Sequence, residues 1–156
     1  MSGNAVLLSQ TYQEHGIRFD YPSDWQVEDH ASAEEIQVLV QSPGSAFWVL
    51  NLYFERPVSD ELIESAIETY RAEYGEVDAF PSEQNVAGHQ GAAVDIEFVC
   101  LDLPNTAQVR TFVTDRFTAL ILSQYSEGEP PETAELIKQM TQSIQCEEDL
   151  LGFQEL

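Results

Sequence analysis

The chain has 156 residues, of which 28 are Asp or Glu and 6 are Lys or Arg, giving a formal net charge of −22 at pH 7. This length is typical of one domain that buries a core without a metal or a disulfide. The shortage of basic residues excludes nucleic-acid or anionic-membrane binding through a basic patch.

The first third of the chain predicts a series of strands. Alternation of apolar and polar side chains, typical of half-buried strands, places them at residues 16–21, 25–27, 36–41 and 46–54. The segment from Ile36 to Phe54 contains no charged residue. Its Ser-Pro-Gly-Ser centre nevertheless predicts a hairpin and argues against a transmembrane helix, so no membrane insertion is expected.

A change of period then predicts an amphipathic helix over residues 60–74. Apolar side chains recur there at helical spacing. Ser59 is the predicted N-cap, Asp60 and Glu61 suit the positive end of the helix dipole, and Gly75 is the predicted stop.

The second half predicts further strands and a closing helix. We expect a mixed segment with a short extended piece at 77–86, a turn at 88–91, a strand at 91–101, a turn at 103–105, and strands at 109–114 and 117–125. A closing helix is expected to open at 129–132 and to bury Ile137, Met140 and Ile144. Short links between strands imply an antiparallel sheet. The predicted fold is α+β, with an antiparallel sheet of six or seven strands covered by helices on both faces. We expect one domain over residues 1–156, with a core at about 6–146 and an acidic extension at 147–156.

The pattern Phe19-x-Tyr21-Pro22-x-x-Trp25 resembles the signature of the PsbP-like superfamily, including its DcrB-type bacterial members. The predicted order of elements and the Gly88-x-x-Gly91 entry to a long strand are similar to that plan. The resemblance implies an α/β/α sandwich and a mostly non-enzymatic role. The superfamily includes a lumenal photosystem subunit, a nuclear import factor that binds a small GTPase, and periplasmic lipoproteins. The segment 91–122 is similar in rhythm to the Eag-type cytoplasmic chaperones of type VI secretion.

The strand at 46–54 is apolar on both faces and provides the main candidate site. Phe47, Val49 and Tyr53 share one face, opposite Trp48 and Leu50. If a helix covers that face, these side chains are core. If nothing covers it, they form an apolar patch suited to a partner protein or to a second copy of the chain.

An acidic pair provides the alternative, an enzyme or a cation-binding domain. Asp95 and Glu97 stand two apart on a predicted strand and therefore share a face. A solvated strand face with Arg110 as a cross-strand partner explains the same pattern. The three histidines, His15, His30 and His89, show no metal-ligand spacing, so no metal and no cofactor is expected.

The remaining predictions concern compartment and partners. The N-terminus lacks the basic and apolar regions of a signal peptide, which predicts a cytoplasmic protein. Cys100 and Cys146 are then expected to be reduced thiols, with one bridge between them left open. The acidity has three interpretations: solubility, adaptation to high salt, or steering of a basic partner. We therefore expect a non-enzymatic protein-interaction or chaperone-like module whose apolar sheet face or groove binds another protein.

Overall fold

The computed structural model describes residues 8–147. Within that range the chain forms ten strands and two helices, numbered here in chain order. They are β1 (Gln10–Glu14), β2 (Ile17–Tyr21), β3 (Gln26–Ala31), β4 (Glu35–Gln41), β5 (Phe47–Tyr53), α1 (Ser59–Tyr74), β6 (Asp78–Val86), β7 (His89–Cys100), β8 (Leu103–Val113), β9 (Thr118–Ser126), α2 (Thr133–Gln142) and β10 (Gln145–Cys146).

Seven strands form the main sheet in the order β3-β4-β5-β9-β8-β7-β6, and every neighbouring pair is antiparallel. A separate small sheet has the order β1-β2-β10. The predicted α+β fold with an antiparallel sheet is thus confirmed. The hairpin predicted within 36–54 is also observed, as β4 and β5.

The larger core cluster joins the main sheet to the small sheet and to α2. Its fully buried members include Phe19 of β2, Trp48 of β5 and Ile137 of α2. The Trp48 indole Nε1–H donates to Thr141 Oγ1 at 2.9 Å, so α2 is attached to β5 by a hydrogen bond as well as by apolar contact. Phe19, from the predicted aromatic motif, packs on Trp48 with ring centroids 4.6 Å apart.

A second cluster joins α1 to β7 and β8. Ile63 and Ile67 of α1 pack there with Ile96 of β7. The two clusters use alternate residues of β9, because Ile121 belongs to the first while Leu120 packs against the second. Since successive side chains of a strand point to opposite faces, the clusters lie on opposite sides of that strand.

The β7–β8 turn differs from the sequence-based prediction. The turn consists of Leu101 and Asp102, both in the left-handed region (φ 53° and 64°), and β8 begins at Leu103. The predicted turn at 103–105 and the later strand start at 109 are therefore wrong. Pro and Asn are frequent turn residues, but Pro104 and Asn105 both lie within β8.

Three further strands, β1, β6 and β10, exceed the prediction, and Ile144, expected on the closing helix, follows the end of α2 at Gln142. β1 was not predicted, because Tyr12 is its one buried side chain and leaves little alternation to detect. β6 extends over nine residues and includes Pro81. An edge strand tolerates proline, because on its open side no neighbouring strand requires the missing N–H donor. Of the predicted acidic extension 147–156, all but Glu147 lies outside the described residues.

The boundaries of α1 also differ slightly. The helix begins at Ser59 with Val58 as the N-cap residue, and no side chain caps it, so the predicted N-cap at Ser59 is one residue off. Gly75 ends the helix as predicted, with φ 80° and its N–H donating to Arg71 O.

Candidate functional site

The candidate apolar surface is built on β4 and β5. Val49 pairs with Leu39 of β4 on one side and with Leu122 of β9 on the other. Phe47 and Tyr53 lie on the same face of β5, since both are an even number of residues from Val49. We call Leu39, Phe47, Val49 and Tyr53 the β4–β5 patch. The sequence analysis did not predict Leu39, although strand alternation places it on the face opposite Val38 and Val40.

The β4–β5 patch belongs to neither core cluster, although one of its members, Val49, is buried. Val49 is 8% exposed, and the other three side chains are half-buried. Among the described residues, none of the four is a member of either core cluster. Helix α1, which would have to cover this face to make it core, makes its main contacts with β7 and β8. Its cluster reaches this face of the sheet at Leu122 of β9, the neighbour of Val49.

A polar pair divides the patch. Asn51 occupies the position on β5 between Val49 and Tyr53 and is 6% exposed. Its Oδ1 accepts a hydrogen bond of 3.0 Å from Gln37 Nε2 on β4. The apolar surface therefore consists of Leu39, Phe47 and Val49, with Tyr53 separated from it by one amide pair.

Carboxylates border the patch. Glu35 pairs with Tyr53 in the β4–β5 register, and Glu28 of β3 pairs with Leu39. Both glutamates are exposed. Burial, and secondarily the negative charge of Glu35, raise the pKa of Tyr53 above its usual value. The Tyr53 hydroxyl therefore lies within an acidic border.

The border with α1 is fixed by a hydrogen bond. Tyr70 of α1 donates its hydroxyl hydrogen to Gln124 Oε1 at 2.7 Å. Gln124 is the β9 neighbour of Phe47. The end of α1 is thus held beside the patch, and Phe47 lies next to the residue that holds it.

The predicted acidic pair does not present two unpaired carboxylates. Arg110 Nη1 lies 2.8 Å from Asp95 Oδ1, and it also donates to the Val109 carbonyl oxygen at 3.1 Å. The Arg110 side chain is 15% exposed. Glu97 lines a cavity together with Glu76 and Glu127. The predicted cross-strand partnership of Arg110 with the pair is observed for Asp95.

Each histidine contacts a different side chain. His15 lies 3.9 Å from Asp29, His30 lies 3.8 Å from Glu28, and His89 stacks on Phe112. Within residues 8–147, no three His, Cys, Asp or Glu side chains are grouped so that they could hold a metal ion.

The two cysteines lie on different sheets. Cys100 is half-buried on β7 of the main sheet, and Cys146 is buried on β10 of the small sheet.

Within residues 8–147, neither helix is long and apolar enough to cross a membrane.

Comparisons with known proteins relate the chain through structure. No family model matches it, and no curated protein matches its sequence. The solution structure of cyanobacterial PsbP (CyanoP) from Synechocystis sp. PCC 6803 is similar, with a TM-score of 0.59 and 15% identity over 94% of this chain and 97% of that one.

Two further solved structures are similar to the chain. A protein from Bacteroides thetaiotaomicron VPI-5482 has a TM-score of 0.58 and 10% identity over 90% of this chain, which spans 49% of that protein. LpqN, involved in cell envelope biogenesis of Mycobacterium tuberculosis, has a TM-score of 0.49 and 12% identity over 83% of this chain and 82% of LpqN. With CyanoP matched over nearly its full length, the resemblance predicted from the aromatic motif is confirmed at the level of fold: this chain has the PsbP-like fold.

Proposed function

We propose that the protein is a non-enzymatic protein-binding module whose β4–β5 patch binds an apolar segment of a partner. The supporting observation is that Leu39, Phe47 and Val49 lie on one face of neighbouring strands, outside both core clusters, and that the main contacts of α1 are with β7 and β8. Leu39 and Phe47 are half-buried beside the buried Val49. Accessible apolar side chains with a polar border are typical of a protein interface.

Charge complementarity selects the kind of partner. The patch is bordered by Glu28 and Glu35, and the chain as a whole carries a net charge of −22. An anionic border attracts Lys or Arg side chains and repels acidic surfaces, including a second copy of this chain. The proposed occupant is therefore an apolar protein segment flanked by basic residues.

The finer description of the fold is part of this proposal. We take α1 to cover one face of the main sheet, and α2 with the small sheet to cover the other, giving a layered sandwich. Support comes from β9, where Leu120 packs with the α1 cluster and Ile121 with the α2 cluster. In that arrangement the β4–β5 end of the α1 face is left for a partner.

A chaperone-like role and a cytoplasmic location complete the proposal. In a chaperone-like function the β4–β5 patch would shelter an apolar segment of a client, as in the Eag-type branch that the sequence resembles. Fractionation of the source cells tests the location.

Calorimetric titration with calcium, magnesium and zinc tests the acidic-pair alternative. Heat of binding that Asp95→Asn abolishes would support that alternative.

The main test compares two sets of variants by affinity capture. We expect Phe47→Ser combined with Tyr53→Ser to reduce recovery of the native partner by ~10-fold, which corresponds to ~1.4 kcal/mol. The matched control is Phe80→Ser, since Phe80 is 52% exposed on the edge strand β6. The captured partner should contain an apolar segment flanked by Lys or Arg. Unchanged capture by the folded double variant would contradict the proposal.

A further inference from the structure

The β7–β8 turn departs from the other two-residue turns of this chain. In the β1–β2 and β6–β7 hairpins the second turn residue is a glycine, Gly16 or Gly88, with positive φ. In the β7–β8 hairpin the two positions hold Leu101 and Asp102, with φ 53° and 64°. Two left-handed residues are what a type I′ turn requires, and Asn-Gly is the favoured pair.

A leucine in this position is unfavourable for the backbone. For a bulky residue other than glycine, the left-handed conformation brings Cβ close to the following carbonyl oxygen. Such strain persists where the surrounding structure imposes it, and it concentrates at functional positions. In this hairpin, the β7–β8 ladder imposes the turn and places Leu101 at its end.

The strained residue also contributes nothing to the core. Leu101 is 91% exposed, and its neighbours Val99 and Leu103 are 62% and 42% exposed. We call these three residues the hairpin tip. These three exposed apolar side chains, next to a strained turn, stabilise neither the turn nor the core. Contact with another molecule would account for their exposure.

The surroundings of the hairpin tip are anionic. A cavity of about 620 Å³ beside it is lined by Val99 and Pro104 of the hairpin. The same cavity is lined by four carboxylates: Glu76, Asp78, Glu97 and Glu127. Asp102 adds a further exposed carboxylate within the turn. An apolar projection bordered by carboxylates is complementary to an apolar cleft bordered by Lys or Arg.

We propose that the hairpin tip is a second docking element, which inserts Leu101 into an apolar cleft of a protein partner whose edges carry Lys or Arg. This surface does not include the β4–β5 patch, and the inference does not depend on the function proposed for that patch. The same carboxylates repel anionic lipid headgroups, which favours a protein over a membrane as the occupant.

The test uses an amphipathic peptide of leucine and lysine as the probe, titrated into the full isotope-labelled chain and followed by amide chemical shifts. We expect the shifts to centre on residues 99–103, and Leu101→Asn to weaken the Kd by ~10-fold or more. The matched control is His15→Asn, the same substitution at the same turn position of the β1–β2 hairpin. Because asparagine tolerates a left-handed backbone better than leucine, Leu101→Asn should melt ~2–4 °C higher and lose affinity. Histidine and asparagine both adopt this conformation, so His15→Asn should leave the Kd unchanged.

Several outcomes would overturn the proposal. An unchanged Kd for Leu101→Asn would do so, as would equal binding of a matched serine–lysine peptide, which would indicate charge alone. Binding of the chain to phosphatidylcholine vesicles in place of the peptide would favour a membrane. Shifts centred on Phe47 and Val49 would support the β4–β5 patch and exclude the hairpin tip, so failure of the two proposals can be told apart.

Discussion

Arg110 and Asp95 form a cross-strand ion pair between β8 and β7, with Nη1 2.8 Å from Oδ1. The Arg110 side chain is 15% exposed and that of Asp95 is 41% exposed, so a largely buried cation depends on a carboxylate at the surface. Arg110 also donates to the Val109 carbonyl oxygen, which holds the guanidinium in place. This contact distinguishes Asp95 from Glu97, although both lie on one strand face.

We predict that Asp95→Asn lowers the free energy of unfolding by ~1–2 kcal/mol, because it leaves the buried Arg110 charge without its carboxylate. The matched change Glu97→Gln alters an exposed residue and should stay within about 0.5 kcal/mol of wild type. Urea denaturation measures both. Equal destabilisation by the two changes would contradict the assigned role of Arg110.

Gly91 of β7 is required by close packing against β8. A Cβ at this position would overlap the backbone carbonyl of Thr111, which cannot move without breaking the ladder. We predict that Gly91→Ala costs ~2 kcal/mol or more in urea denaturation. At Gly128 an added Cβ would lie 3.5 Å from Leu103 Cδ1, an ordinary contact, so Gly128→Ala should change stability by less than about 0.5 kcal/mol. A well-tolerated Gly91→Ala would contradict this packing.

Thr141 attaches α2 to the main sheet through the Trp48 indole. Trp48 is fully buried, so replacing Thr141 with valine leaves its Nε1–H without an acceptor. We predict that Thr141→Val lowers the free energy of unfolding by ~1–2 kcal/mol. On the other helix, Thr69 is exposed and bonds to the Ser65 carbonyl oxygen, so Thr69→Val is the control and should be nearly neutral. A neutral Thr141→Val would indicate that apolar packing alone attaches α2.

Alkaline pH should weaken the attachment of α1. Burial, and secondarily the charge of Tyr74, raise the pKa of Tyr70 above its usual value. The unfolded state then loses this proton first, at its usual pKa of ~10. The stabilisation is fully present below pH ~10 and is lost as pH rises through the folded pKa. In urea melts, Tyr70→Phe should run parallel to wild type from pH ~6 to ~8 and fall less steeply above pH ~10. Equal slopes above pH ~10 would exclude Tyr70 as a source of the alkaline loss.

The strands of the main sheet were predictable where side-chain alternation is strong. In β4 and β7 the buried positions alternate almost without interruption, and both were located from that pattern. The aromatic motif was informative because Phe19 packs directly on Trp48, so a local pattern reports a long-range contact.

The turns and short strands were less predictable. Leu101 and Asp102 form a left-handed turn that leucine disfavours, and the β7–β8 ladder overrides the local preference of Leu101. β1 is held by its pairing with β2 and has little apolar pattern of its own. Both misses therefore reflect tertiary contacts that single-sequence periodicity does not contain.

The candidate site was predictable in part. Phe47, Val49 and Tyr53 were placed correctly on one face of β5, because strand alternation determines it. Whether α1 covers that face could not be predicted, because the apolar stripe of a helix does not indicate which strands it packs against. Strand alternation alone places Asn51 between Val49 and Tyr53 on this face. The Gln37–Asn51 hydrogen bond, in contrast, depends on the β4–β5 register.

The most direct test of the proposed protein-binding role is photo-crosslinking in the source cells, with a benzophenone amino acid placed at position 47 or, as the control, at position 80. The account predicts a discrete protein adduct from position 47, attached through an apolar segment flanked by Lys or Arg. It predicts no such adduct from position 80. Adducts from position 47 that do not exceed those from position 80, or attachment to an acidic segment, would contradict it.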